Sequence, residues 1–146
     1  MHSLRCTCGH AGCLSRHAYY YRTVKFLSES VRLRVLRLVC SFCGKTHAVL
    51  LSMIVPYSQI LLEDQKDIIT ASESGSPMSD IFQRNLCLDE NNAASVIRSF
   101  RRHWKQRLKS AGISLLEDPT IPCFSHYSRQ FMQIKKTPNL LFLSPT

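Results

Sequence analysis

Residues 31–47 read VRLRVLRLVCSFCGKTH. Val31, Leu33 and Val35 alternate with Arg32 and Arg34, which is the period of a strand with one apolar face and one strongly positive face. The strand runs into Cys40-Ser-Phe-Cys43-Gly44-Lys45, the form of a zinc knuckle. The first cysteine leaves a strand, the glycine permits a left-handed turn, and backbone amides point at the second sulfur. Upstream, AYYYRTVKFL (18–27) is rich in β-formers and SES (28–30) makes a turn, so the two segments predict a β-hairpin. THAVLLSMIV (46–55) predicts a third strand, and Pro56 closes the module.

A second thiol group lies on the far side of that hairpin, in RCTCGHAGC (5–13). Residues 1–17 read as a loop-rich first knuckle. Two cysteines from each group supply the four tetrahedral ligands of one structural zinc ion. Cys40 and Cys43 form one half. Cys6 and Cys8, or Cys8 and Cys13, form the other, with Cys6 and Cys8 favoured because Gly9 follows Cys8 as Gly44 follows Cys43; Cys13 is the reserve ligand. His10, His17 and His47 are substitutes in principle, but fit better as exposed or hydrogen-bonding histidines. A redox role for Cys40 and Cys43 needs a strand-to-helix context, whereas this motif sits between two expected strands. Cys87 and Cys123 stand alone among apolar neighbours and read as core residues.

The helical signals begin after Pro56. YSQILLEDQKDIITAS (57–72) places Ile60, Leu61, Ile68 and Ile69 on one side of a helix, and ESGSP (73–77) breaks it. A short helix follows over 77–85, with Ser76 as N-cap and Pro77 in the first position. Asp89 caps a long helix that begins at Glu90 and runs to about Ser110, where Gly112 supplies a stop. Helix, short helix, turn and longer helix is the grammar of a helix-turn-helix. In the last helix Ala93, Val96, Ile97, Phe100, Trp104 and Leu108 form an apolar stripe, and Arg98, Arg101, Arg102, Lys105 and Lys109 form a basic one. The expected fold class is therefore α+β, with a zinc ribbon over 1–56 and a helix-turn-helix module over 57–112. A tail over 113–146 carries a short amphipathic segment (123–134) and an extended end.

Charge separates along the chain. The net charge is +9, but residues 1–55 hold eight basic and one acidic residue, 56–90 hold two and seven, and 91–110 hold six and none. Two basic blocks around an acidic one suit two surfaces on a polyanion, in preference to solvated charge. On this reading DNA is the partner. Arg32 and Arg34 grip phosphates from the hairpin, and Arg98, Arg101, Arg102, Lys105 and Lys109 do so from the last helix. Asn91, Asn92 and Ser95 sit at that helix's N-terminal end, where base edges are read, and Asn pairs bidentately with adenine. Catalysis has little support: the carboxylates cluster at 63–73 and 89–90, and no strand-borne acidic set, Gly-rich phosphate loop or Ser/His/Asp arrangement is present. The longest apolar run, AVLLSMIV (48–55), falls far short of the ~20 residues of a membrane span. The first ten residues lack the apolar stretch of a secretory leader, so a cytoplasmic, nucleoid-associated bacterial protein with reduced thiols is expected.

CTCGHAGCLSRHAYYYRTVK, RVLRLVCSFCGKTHAVLLSMIVPYSQI, ENNAASVIRSFRRHWKQRL and RQFMQIKKTPN together resemble the DUF6431 family of bacterial transposase-like proteins. The resemblance covers nearly the whole chain, and CGKTHAVL…VPYSQI is its most specific part. It implies a zinc ribbon followed by a helix-turn-helix, similar to the DNA-binding front ends of some transposases. The family's ligands fall on Cys6, Cys8, Cys40 and Cys43. Many relatives carry Cys-x-x-Cys at the first knuckle, so the Cys-x-Cys here is a departure that leaves Cys6 or Cys13 to complete the site. The expectation is a non-catalytic DNA-binding protein of a mobile element, acting on element ends or an operator. The alternative is an accessory subunit of a split transposase that recruits a catalytic partner through its tail, and a metal-dependent nuclease ranks last.

Overall fold

The computed structural model describes residues 4–51, 53–114 and 141–145. Its first half is an antiparallel sheet of β1 (Leu14–Phe26), β2 (Glu29–Cys40) and β3 (Thr46–Leu51), extended at the β3 edge by β4 (Leu141–Pro145), in the order β1-β2-β3-β4. Among the described residues four helices follow: α1 (Leu62–Ser74), α2 (Ser79–Arg84), α3 (Glu90–His103) and α4 (Lys105–Ser110). The α+β class and the ribbon-then-helices order are those expected.

The hairpin is longer than its β-rich core suggested. β1 starts at Leu14 rather than residue 18, because Leu14 and Ser15 pair with Cys40 and Val39 on the opposite strand. A register shift between Arg16 and Ala18 keeps Tyr20 and Val24 opposite Val35 and Val31. The connection is two residues, with Leu27 at φ 52°. β3, in contrast, stops at Leu51, four residues short of the expected end. There the chain turns, Ile54 N–H donating to the Leu51 carbonyl at 2.9 Å, and Ile54 and Val55 are buried between sheet and helices.

α1 begins at Leu62 rather than 57, since residues 57–61 have another task. Lys25 N–H donates to the Gln59 carbonyl at 2.8 Å and Lys25 bridges Ile60, so this stretch lies along β1. The helix ends at Gly75 (φ 70°), whose N–H caps the Ala71 carbonyl. α2 is shorter than the expected 77–85, and its N-cap is Met78; the Ser76 hydroxyl hydrogen-bonds Ser74 instead. Asp89 caps α3 as expected, and the cap is reciprocal: Asp89 Oδ1 accepts from Asn92 N–H (2.8 Å) and Asn92 Oδ1 from Asp89 N–H (3.2 Å).

The expected single helix over 89–110 is broken at Trp104 (φ −128°, ψ −36°). No proline or glycine marks the break. In a straight helix each four-residue step overshoots a turn by ~40°, so Val96, Phe100, Trp104 and Leu108 drift by roughly 120° in all. The break re-aims the last turn, and Trp104 and Leu108 both stay buried.

Among the described residues, two large apolar clusters join the layers, beside a small one of Cys6, Cys13, Cys40 and Leu14 at the knuckles. One joins Ile68 and Ile69 of α1 to Ile81, Val96, Phe100, Trp104 and Leu108. The other packs Val24, Val35, Ala48 and Leu50 of the sheet on Ile54 and Leu61. Residue 56 divides the chain but not the contacts. An Arg22 Nη donates to the Val55 carbonyl at 3.0 Å and to that of Ser58; Lys25 Nζ donates to the Cys87 carbonyl and Asn92 Oδ1, each at 2.9 Å. Leu86 N–H donates to the Leu27 carbonyl at 2.7 Å. A buried Asp64 anchors the α1–α2 corner, accepting from Arg84 (2.8 Å) and Asn85 (2.9 Å). Cys87 is half-buried rather than a core residue. The amphipathic segment 123–134 and Cys123 lie outside the described residues; within the tail, 141–145 form β4.

Candidate metal centre and nucleic-acid interface

The two knuckles are built alike despite their unequal spacing. Gly44 N–H donates to the Cys40 carbonyl and Gly9 N–H to the Cys6 carbonyl, both at 2.9 Å. Each glycine has positive φ (70° and 92°), the conformation that lets the chain turn back under its sulfurs. The antiparallel pairing of β1 with β2 brings the knuckles together, and Ser41 N–H donates to the Cys13 carbonyl at 2.9 Å.

The Sγ atoms of Cys6, Cys8, Cys40 and Cys43 all lie within 4.8 Å of one another. Cys6 Sγ and Cys43 Sγ are 3.5 Å apart, and Cys8 Sγ and Cys40 Sγ 3.7 Å. A tetrahedron with metal–sulfur bonds of 2.3 Å has edges of about 3.8 Å, so this thiol cage is already the size of such a site. Four soft sulfur donors in a tetrahedral cage fit a metal ion, and these four residues could hold one. Cys13 is not one of the four. Its Sγ is buried 3.3 Å from Cys40 Sγ and donates to the His10 carbonyl at 3.3 Å.

The cage is electrostatically uneven. Burial pushes the Cys40 thiol up, but the Cys43 amide, the Cys13 thiol and the Phe42 amide together bring it down to about 6. At Cys43 the Lys45 amide favours the thiolate, yet burial and the neighbouring thiols of Cys6, Cys40 and Cys8 push it up to about 11. Four thiolates this close repel one another, and a bound cation removes that repulsion.

Histidines brace the cage from outside. His47 is fully buried, and its Nε2 lies 3.2 Å from Cys6 Sγ. Burial, and after it the Lys45 charge, hold its imidazole below the usual range and therefore neutral. With its proton on Nε2, His47 donates to the Cys6 sulfur and fixes its position, as outer-shell partners of metal sites do. His10 stacks on Phe42 with ring centroids 4.1 Å apart, joining the two knuckle tips, and His17 is exposed. The strand on each side of Cys40–Cys43 leaves no helix behind the motif, unlike a redox pair.

The basic residues fall on exposed faces. Arg98, Arg101 and Arg102 lie on the solvent side of α3, and Lys105 and Lys109 on that of α4. Two of them are engaged with α1: Lys105 Nζ meets Glu73 at 2.7 Å, and Arg101 contacts Glu73 (3.7 Å) and Ser72 (3.3 Å). Asn91 and Ser95 are exposed, but the Asn92 carbonyl oxygen is taken by the Asp89 cap and by Lys25. On the hairpin, Arg34 stacks over Tyr19 at 4.0 Å and Arg32 over Tyr21 at 4.3 Å. In the sequence those tyrosines read only as β-formers; the spacing of Tyr19, Tyr21 and Thr23 at every second residue, opposite a strand of alternating arginines, was the available signal.

What fold and site define is a mixed α+β chain whose sheet carries a four-thiol centre able to hold a metal ion. No protein-family model, curated protein or solved structure matches the chain. Among the described residues, no helix is long and apolar enough to cross a membrane.

Proposed function

We propose that this chain is a non-catalytic DNA-binding protein whose fold is held by one zinc ion on Cys6, Cys8, Cys40 and Cys43. An all-thiolate tetrahedral cage favours zinc, which has no redox chemistry and accepts this geometry without strain. A closed four-ligand shell also leaves no open position for a substrate, so the metal's role is structural.

The observation that carries the DNA reading is the two-faced third helix. Ala93, Val96 and Phe100 are buried while Arg98, Arg101 and Arg102 are exposed, and Asn91 and Ser95 stand free at its N-terminal end. A helix of this kind lays its N-terminal residues on base edges and its basic flank on phosphates. The family resemblance supports placing the protein with a mobile element, at its ends or at an operator. The test is selection of bound duplexes from a random pool by the zinc-loaded chain, with RNA as competitor. Enrichment of a motif that weakens in Asn91→Ala supports the reading, and failure to retain any duplex at low salt sinks it.

A further inference from the structure

Apolar-in, polar-out strands ordinarily present short polar or charged side chains to water. The β1–β2 hairpin instead presents Tyr19 and Tyr21, 48% and 58% exposed, on its outer face. Each ring is stacked by an arginine from the opposite strand, Arg34 at 4.0 Å and Arg32 at 4.3 Å. Tyr21 lies directly opposite Arg34, and Arg32 opposite Thr23, so the stacked pairs are diagonal neighbours one step apart along the hairpin. Neither Arg32 nor Arg34 makes an ion pair or hydrogen bond among the described residues, in contrast to Arg101 and Lys105 on the helices. Arg16 and His17, farther along β1, are exposed too.

We propose that this face binds single-stranded DNA, stacking two successive bases on the Tyr19–Arg34 and Tyr21–Arg32 pairs. Side chains two residues apart on one strand are about 6.7 Å apart, a step comparable to that between nucleotides of an extended single strand. The guanidinium planes and phenol rings offer π surfaces, and the unpaired positive charge tracks the phosphates. In a duplex the π faces of the bases are hidden in the stack, so a platform of this kind has nothing to grip there. The inference rests on the DNA-binding reading but assigns a second surface and a different form of DNA. It gives the chain a way to hold a locally opened strand while the third helix holds duplex.

The test uses the full zinc-loaded chain and three fluorescent probes: a ten-nucleotide oligo(dT), a duplex of the same length, and oligo(U). The double variant Tyr19→Thr/Tyr21→Thr keeps strand propensity and removes both rings. It is expected to weaken oligo(dT) binding at least tenfold, with zinc content, melting temperature and duplex affinity retained. Tyr19→Phe/Tyr21→Phe keeps the π faces and is expected to bind oligo(dT) as the parent does. If the Thr variant unfolds, Arg32→Gln/Arg34→Gln, which leaves the rings in place, is expected to weaken oligo(dT) binding at least tenfold and to flatten its salt dependence. Unchanged oligo(dT) binding in the Thr and Gln variants overturns the proposal, as does tighter binding of oligo(U) than of oligo(dT). Duplex binding without single-strand binding defeats this inference and leaves the DNA-binding reading standing. Loss of both in the parent protein defeats both.

Discussion

Asn92 shows how one side chain can be mistaken for another kind of residue. Its place in the first turn of α3 suits base recognition, yet its carbonyl oxygen closes the Asp89 capping box and receives Lys25 Nζ from β1. Asn92→Ala is therefore expected to cost ~1–2 kcal/mol in denaturant unfolding and to leave base preference unchanged, whereas Asn91→Ala relaxes that preference with little effect on stability. Trp104 makes the complementary case. It is buried at the break between α3 and α4, so Trp104→Ala is expected to destabilise by ~3–5 kcal/mol. Arg102→Ala, on the exposed face, should leave the melting temperature unchanged and weaken duplex binding. A stable Trp104→Ala beside an unfolded Arg102→Ala would invert the faces of this helix.

At the scale of the elements, the β1–β2 pairing sets the two knuckles side by side, with their four thiols within 4.8 Å of one another. A metal held by these four thiols would contribute directly to the stability of the hairpin module. Cys43→Ser is expected to lose the metal by elemental analysis and to lower the melting temperature of the ribbon, while Cys13→Ser retains one metal per chain, because Cys13 Sγ stands behind Cys40 and outside the cage. The uneven thiols set a pH signature. Cys40, drawn to about 6, is already a thiolate at neutral pH, and Cys43, pushed to about 11, is still a thiol. Loading the apo protein near pH 7.5 is expected to release fewer than four protons per metal. Release should climb toward four below pH 6, as Cys40 protonates, with affinity falling in step. The depressed Cys40 group stabilises the folded state above its ordinary range, and that contribution is lost as pH falls through about 6. Calorimetry in buffers of different ionisation enthalpy counts the protons, and a constant four across this range contradicts the assignment.

Across the whole molecule, Arg22 and Lys25 change meaning. Both belong to a basic block that suggested a backbone-tracking hairpin, but they spend their charge on carbonyls and Asn92, fastening the hairpin to the helices. The proposed nucleic-acid surface is accordingly smaller than the net charge of +9 implies. Duplex affinity is expected to fall linearly on logarithmic axes with salt, at a slope of about −0.9 per phosphate contacted and ~3–5 contacts in all. Lys25→Met is expected to lower stability without changing that slope. A slope matching every basic residue would mean that the intramolecular ties give way on binding.

Local chemistry made most of the ribbon legible in advance. The alternation in 31–35, the glycine after each second cysteine, the Asp89 cap and the Gly75 and Gly112 stops are decided by neighbours within four residues, and the chain obeys them. Residue periodicity likewise separated the buried and basic faces of α3. Tertiary structure alone decided the rest, since each missed feature depends on a partner distant in sequence. β3 ends early because Ile54 and Val55 are needed between the layers, and α1 starts late because residues 59–60 lie along β1. Trp104 breaks its helix to keep Leu108 in the core. The glycine after each pair already favoured Cys6 and Cys8; what the fold adds is the place of Cys13, which the β1–β2 pairing carries behind Cys40 and outside the cage.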